Sequence, residues 1–120
     1  MRILIIDDSR AMRMIVRRTL RQAGFGQHDV QEAEDGLQGY EKISAQKPDL
    51  VLCDWNMPRM TGIELLQKLK AEGTGIKFGF VTSEGTTEMR TRASDAGALF
   101  LIAKPFTADA FKAALSKHLS

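Results

Sequence analysis

Along this chain, short apolar runs of strand length alternate with stretches of helical period. Ile3-Leu4-Ile5-Ile6 reads as a first strand, and Ser9 caps a helix whose apolar face is Met12, Ile15, Val16, Leu20 and Ala23. Gly24 ends that helix. A weak second strand surrounds Val30, and the helix after it carries Leu37, Tyr40 and Ile43 before stopping at Pro48. Leu50 to Cys53 forms a third strand. Thr61-Gly62-Ile63-Glu64 has the spacing of a capping box, with Leu65, Leu66 and Leu69 continuing the apolar face behind it. Lys77 to Thr82 reads as a fourth strand, followed by a helix from Thr87 to Ala96 that stops before Gly97. Leu99 to Ala103 is a fifth, and Thr107 caps a last helix with Phe111, Ala114 and Leu115 inward, running to the end of the chain. Repeated strand-helix alternation of this kind predicts a parallel sheet covered on both faces.

Two of the apolar runs end abruptly in acid. Ile3 to Ile6 runs into Asp7-Asp8, and Leu50 to Cys53 runs into Asp54, with the turn signal Asn56-Met57-Pro58 just beyond. Right-handed crossovers place the C-terminal ends of all the strands on one edge of the sheet, and ligands of open sheets bind outside that edge. The residues just past the strands are Asp7, Asp8, Asp54, Thr82 and Lys104. An acid at one strand end is read equally well as a cap or turn residue. Three acids, a hydroxyl and an ammonium on one edge read as chemistry.

Composition bounds the rest. The 120 residues fit one domain that buries roughly two-thirds of the surface its unfolded form exposes. With 43% apolar and 27% charged residues the chain is ordinary for a globular protein and unlike a disordered one. A net charge of +2 does not by itself imply a nucleic-acid partner. The one cysteine, Cys53, has no partner for an internal disulfide and no His or second Cys at metal-ligand spacing, and reads as a small buried strand residue. The first apolar run is too short for a signal peptide or a membrane span, so a cytoplasmic location without membrane insertion is expected. The motifs begin at residue 3 and the helical pattern reaches the end, which leads us to expect a single domain over 1–120 without an output domain.

Converging carboxylates repel, by about 4 kcal/mol for two unit charges 4 Å apart at an effective dielectric near 20. A cation must compensate. With oxygen ligands alone the fitting ion is a hard one such as Mg2+, which keeps open positions for a phosphoryl group. Lys104 supplies a point charge for a phosphoryl oxygen, and the Thr82 hydroxyl can donate to another. One carboxylate is left to act as a nucleophile towards phosphorus, known covalent chemistry for Asp that needs chiefly positioning and charge neutralisation.

Asp7-Asp8, Asp54, Thr82 and Lys104-Pro105-Phe106, at these positions in a chain of this length, resemble the response-regulator receiver domain, and the run Asp54-Trp55-Asn56-Met57-Pro58 is particularly similar to that of chemotaxis members of the family. The resemblance covers nearly the whole chain. It implies a flavodoxin-like three-layer α/β/α fold, with a five-stranded parallel sheet of order 2-1-3-4-5 and five helices. It also implies that Asp54 accepts a phosphoryl group from a phosphohistidine. Asp8, Asp54 and the backbone carbonyl of Asn56 would bind Mg2+, with Asp7 acting through a metal-bound water. Lys104 and Thr82 would hold phosphoryl oxygens, the Lys104-Pro105 bond would be cis, and Asn56 and Glu84 would tune hydrolysis of the acyl phosphate as in the fast-decaying chemotaxis type. The implied partners are a sensor histidine kinase or phosphotransfer domain and a downstream protein, a flagellar motor switch protein among the candidates. The implied state is a monomer that catalyses only its own phosphorylation and dephosphorylation.

One position departs from the family pattern. Receivers carry Tyr or Phe three residues before the Lys, a ring that swings inward when the Thr engages the phosphoryl group; here the residue is Leu101. Phe100 beside it should face the other side of the sheet. The face expected to change on phosphorylation includes Arg90, Phe106 and Phe111. Two further readings stay open: a small Mg2+-dependent phosphatase working through Asp54, and a phosphate sink or adaptor in which Leu101 has uncoupled the surface from the site. Trp55 reads as a partly exposed loop residue and a fluorescence probe. Arg10, Arg13, Arg17, Arg18 and Arg21 read either as a solvated helix face or as a basic docking face. Gly24-Phe25-Gly26 follows a helix and lacks a third Gly, so it is no dinucleotide loop. His28 reads as a surface residue.

Overall fold

In the computed structural model, which describes residues 1–118, strand and helix alternate from end to end. The elements are β1 (Arg2–Ile6), α1 (Arg10–Gln22), β2 (Asp29–Ala33), α2 (Gly36–Gln46), β3 (Leu50–Cys53), α3 (Gly62–Ala71), β4 (Lys77–Thr82), α4 (Thr87–Asp95), β5 (Phe100–Ala103) and α5 (Ala108–Leu115). The strands form one parallel sheet in the order β2-β1-β3-β4-β5, as the resemblance implies. The chain's last two residues, which the final helical pattern was expected to include, lie outside the described residues.

The central strands β1 and β3 are apolar at consecutive positions because both faces of the sheet are covered. Leu4, Ile6, Val51 and Cys53 pack towards α2, α3 and α4, in a cluster with Ile43, Leu65, Leu69 and Ala93. Ile3, Ile5, Leu50 and Leu52 pack towards α1 and α5, with Val16, Leu20, Phe111 and Leu115. Each fully buried aliphatic or aromatic side chain contributes about 1.5–3 kcal/mol, enough in aggregate to fix the register. β2 and β5 are the edges. The weak pattern at β2, Asp-Val-Gln-Glu-Ala, is that of an edge strand with β1 as its one neighbour.

Local signals act as the sequence predicts. Ser9, Thr61 and Thr107 each accept a backbone N–H at a helix start, and the Thr61–Glu64 capping box is complete in both directions. Such a cap stabilises by about 1 kcal/mol. Gly24, at φ 96°, turns the chain out of α1.

Several expectations need correction. Ile15 is exposed: the inward stripe of α1 is Arg13, Val16, Thr19 and Leu20, and Ile15 stands beside it. Leu37 is likewise exposed, because Gly36 and Gly39 form the buried face of α2 and bring its backbone onto the sheet. Phe111 is inward as its helical position predicts, fully buried against Phe106 at 4.8 Å between ring centroids, so of the residues placed on the switching face it presents no surface. β5 begins at Phe100 instead of Leu99, and α4 ends at Asp95. His28 is half-buried and stacks on Phe25, with no partner for its Nε2 among the described residues.

Candidate functional site: an acidic pocket at the C-terminal edge of the sheet

The register carries the site. Ile6 pairs with Cys53 and Cys53 with Phe80, while β4 and β5 run on together two residues further to the Thr82–Ala103 pair, so the four strands deliver Asp7, Asp54, Thr82 and Lys104 to one edge of the sheet. The Asp54 N–H donates to the Ile6 carbonyl at 2.9 Å, the Asp7 N–H to Ala33 at 3.1 Å and the Lys104 N–H to Thr82 at 2.7 Å. The backbone that presents each side chain is therefore tied to the neighbouring strand.

Carboxylate oxygens of Asp7, Asp8 and Asp54 lie within 4.8 Å of one another. Asp7 is buried and Asp8 exposed, so the cluster opens to solvent on the Asp8 side. The Lys104 ammonium approaches Asp7 Oδ2 at 3.4 Å and Asp54 Oδ2 at 3.9 Å. Asp7 Oδ1 accepts the Ser9 N–H at 2.9 Å, and Asp54 Oδ1 accepts the Trp55 N–H at 2.8 Å. Thr82 is fully buried at the end of β4, and its hydroxyl accepts the Glu84 N–H at 3.4 Å. Asn56 and Glu84 stand exposed on the rim, and the Lys104–Pro105 bond is cis.

One ammonium does not balance three acids. Burial, and secondarily the charge of Asp7, raise the Asp54 carboxyl from its ordinary 3.8 to about 6, against the opposing pull of Lys104 and the Trp55 N–H. Burial also raises the Cys53 thiol well above its usual value, aided by Asp54 and Asp7. Its Sγ–H donates to the Asp54 carbonyl at 3.1 Å, so Cys53 stays a protonated strand residue, as its sequence context predicts. A carboxylate cluster with surplus negative charge and oxygen donors only fits a hard divalent cation. Asp7, Asp8 and Asp54 could hold Mg2+ there.

Packing fixes the turn after Asp54. Trp55, expected to be partly exposed, is 6% exposed: its ring tilts against Phe80 at 4.8 Å, and the Arg92 guanidinium lies 5.4 Å above it. α3 begins so close that a Cβ on Gly62 would stand 2.3 Å from the Asp54 carbonyl oxygen and 2.8 Å from the Phe80 ring. Gly62 donates its N–H to the Trp55 carbonyl at 2.8 Å.

Sequence reasoning missed Arg13. Of the five arginines read as a face of α1, Arg13 turns inward and is buried, and Arg17, still partly exposed, reaches the same acid, Glu32. Arg13 Nη1 donates to the Asp7 carbonyl at 2.6 Å and its Nε to Glu32 Oε1 at 2.8 Å, while Arg17 Nε reaches Glu32 Oε2 at 2.5 Å. Burial alone would raise the Glu32 carboxyl, yet its bonds to Arg13 and Arg17 hold it below its usual 4.5. The available signal was the period of α1, which puts residue 13 on the stripe of Val16 and Leu20, and an acid on the strand expected beside it. Leu101 faces α4 in the cluster of Phe80 and Ala93, and Phe100 lies on the opposite face, as alternation predicts.

An open parallel α/β sheet that ends in an acidic pocket with a Thr and a Lys beside it is the arrangement of the receiver domains, a family of signalling switches. The chain belongs to the response regulator receiver domain family, whose profile matches residues 3–116. Members are phosphorylated on Asp in a Mg2+-dependent way and bind Mg2+ in an acidic pocket. Among similar proteins, chemotaxis protein CheY-3 of Vibrio cholerae is 41% identical over 119 residues, spanning 98% of this chain and 90% of the relative. Chemotaxis protein CheY1 of Helicobacter pylori is 39% identical over 115 residues, spanning 93% and 91%. The solved structure of Vibrio cholerae chemotaxis protein CheY4 superposes with a TM-score of 0.84 at 28% identity and covers 98% of both chains.

Proposed function

We propose that the protein is a phosphorylation-switched binding module of a two-component chemotaxis or motility pathway, with Asp54 as the phosphoryl acceptor. The reading is carried by one observation: a buried carboxylate at the end of β3 shares its pocket with two further acids and lies 3.9 Å from the Lys104 ammonium. Asp54 attacks the phosphorus of a phosphohistidine on a sensor kinase or phosphotransfer domain. An O–P bond forms as the P–N bond breaks, and the imidazole nitrogen leaves with the bonding pair. Lys104 pairs with a phosphoryl oxygen, and the Thr82 hydroxyl donates to another.

Asp8, Asp54 and the Asn56 carbonyl would hold Mg2+, with Asp7 acting through water, a reading supported by the clustering of the three carboxylates. When bound, the ion neutralises the acids and the developing phosphoryl charge. Asn56 and Glu84, both exposed, would tune hydrolysis of the acyl phosphate, a role supported by the family resemblance. The pathway assignment rests on the relatives named above. Downstream, the partner is a protein recognised through the surface of α4, β5 and α5, a flagellar motor switch protein being the leading candidate.

Incubation with Mg2+ and a small acyl phosphate donor should add one phosphoryl group, as read by intact mass, and uptake should require the ion. Modification that persists in Asp54→Asn, or that proceeds equally in excess chelator, refutes the assignment. Multiple turnover of small phosphate esters would instead favour a phosphatase.

A further inference from the structure

Arg90, in the first turn of α4, ties the loop after Thr82 to the edge strand. Its Nε donates to the Gly85 carbonyl at 3.3 Å, and its Nη1 donates to the Leu101 carbonyl at 3.0 Å. Gly85 leaves room for this arrangement: a Cβ there would stand 2.7 Å from Ala103 Cβ and 3.1 Å from Arg90 Nη2. On the other side of Gly85 the Glu84 N–H is bonded to the Thr82 hydroxyl. A continuous chain of hydrogen bonds and backbone therefore runs from Thr82, through Glu84 and Gly85, to the guanidinium and on to β5.

Leu101 occupies the position where a ring would be expected to follow Thr82. Its side chain has no polar group, but its carbonyl is held by Arg90. We propose that Arg90 is the positioning residue that carries the state of Thr82 to β5, the coupling otherwise expected of a β5 aromatic ring; the inference rests on Asp54 being the phosphoryl acceptor. The guanidinium is a planar fork with fixed donor spacing, so it can satisfy both carbonyls only at one relative position of loop and strand. When the Thr82 hydroxyl turns to a phosphoryl oxygen, the Glu84 N–H loses its acceptor and the loop must find new partners for its backbone groups. The Gly85 carbonyl moves relative to Leu101, and Arg90 releases one of the two. Arg90, Leu101, Ala103 and Phe106 border a cleft of about 470 Å3, which changes shape with that release.

The test uses the 15N-labelled full chain with Mg2+, before and after beryllofluoride, following the amide resonances of residues 83–86 and 101–106. In the wild type both groups should shift. In Arg90→Ala the first group should still shift, while the response of the second falls about fivefold or more, the low end of allosteric coupling. Arg90→Lys, which keeps the charge but lacks the fork, should be intermediate. Gly85→Ala should displace the guanidinium and give the same loss with Arg90 present, and the double variant should lose no more than either single one. A full response of residues 101–106 in Arg90→Ala overturns the inference, as does a wild type whose loop responds while β5 stays still. A wild type silent in both groups overturns the phosphoryl-acceptor reading itself, and the inference with it.

Discussion

Removal of the Asp54 charge should stabilise the folded chain at neutral pH, and the gain should vanish in acid. Its carboxyl is raised from 3.8 to about 6 on folding, chiefly by burial and then by the charge of Asp7. A tenfold change in proton affinity is worth about 1.4 kcal/mol, so ionised Asp54 lowers stability by up to about 3 kcal/mol. The sign follows from the direction. A group whose folded value is raised favours the fold fully below its unfolded value of 3.8, and that contribution is lost as pH rises through about 6. Asp54→Asn should therefore match the wild type near pH 4 and exceed it increasingly up to pH 7. There the difference corresponds to about 10 °C in melting temperature for a domain of this size. The assay is urea and thermal denaturation of both proteins across that range in chelator. Comparing the two cancels the titrating groups remote from Asp54. Millimolar Mg2+ should then narrow the gap, since an ion held by Asp54 stabilises only the protein that binds it. A difference independent of pH, or an Asn variant less stable at pH 7, would refute the electrostatic account of the pocket.

Three further outcomes are expected. Gly62→Ala should cost about 1–3 kcal/mol in urea denaturation, as overpacking does, and should weaken Mg2+ binding because the added methyl meets the Asp54 carbonyl; wild-type stability would show that α3 can back away freely. Arg13→Met should cost about 2–3 kcal/mol, since it strips a charged donor from a buried carbonyl and from Glu32. Because Glu32 is held below 4.5, the part of that loss due to the ion pair should fade as pH falls below 4.5, which a pH series of denaturation curves would check. Trp55 emission should change on Mg2+ addition in the wild type and not in Asp54→Asn, because the Trp55 N–H is bonded to Asp54 Oδ1; equal responses would place the ion elsewhere.

How much of this was legible in the sequence follows from what each residue responds to. The strands, the helix caps and the five residues at or just past the strand ends obey local rules and topology, so Asp7, Asp8, Asp54, Thr82 and Lys104 were readable together. The sheet order came from family resemblance, because parallel pairing is set by contacts between residues far apart in sequence. Arg13 was misread because hydrophobic patterning excludes a charged residue from a buried stripe, while the Asp7 carbonyl and Glu32 together make burial affordable for a guanidinium. Leu37 was misread for the converse reason: Gly36 and Gly39 bury a helix face that carries little apolar weight. Trp55 follows a strand and precedes a turn, so nothing local revealed that Phe80 and Arg92 would enclose it. Arg90 was readable as a candidate on the switching face, but the Leu101 carbonyl meets its guanidinium only once α4 lies against β5.

The measurement that bears most directly on the central claim is chemical location of the phosphoryl group. Protein loaded from a phosphodonor in Mg2+ is reduced with borohydride, which converts an aspartyl phosphate to homoserine, and is then digested and sequenced by mass spectrometry. The account predicts homoserine at position 54 alone, in an amount that tracks phosphoryl uptake. Homoserine at position 7 or 8, or a phosphoryl group that resists reduction and maps to a hydroxyl or imidazole side chain, would contradict it.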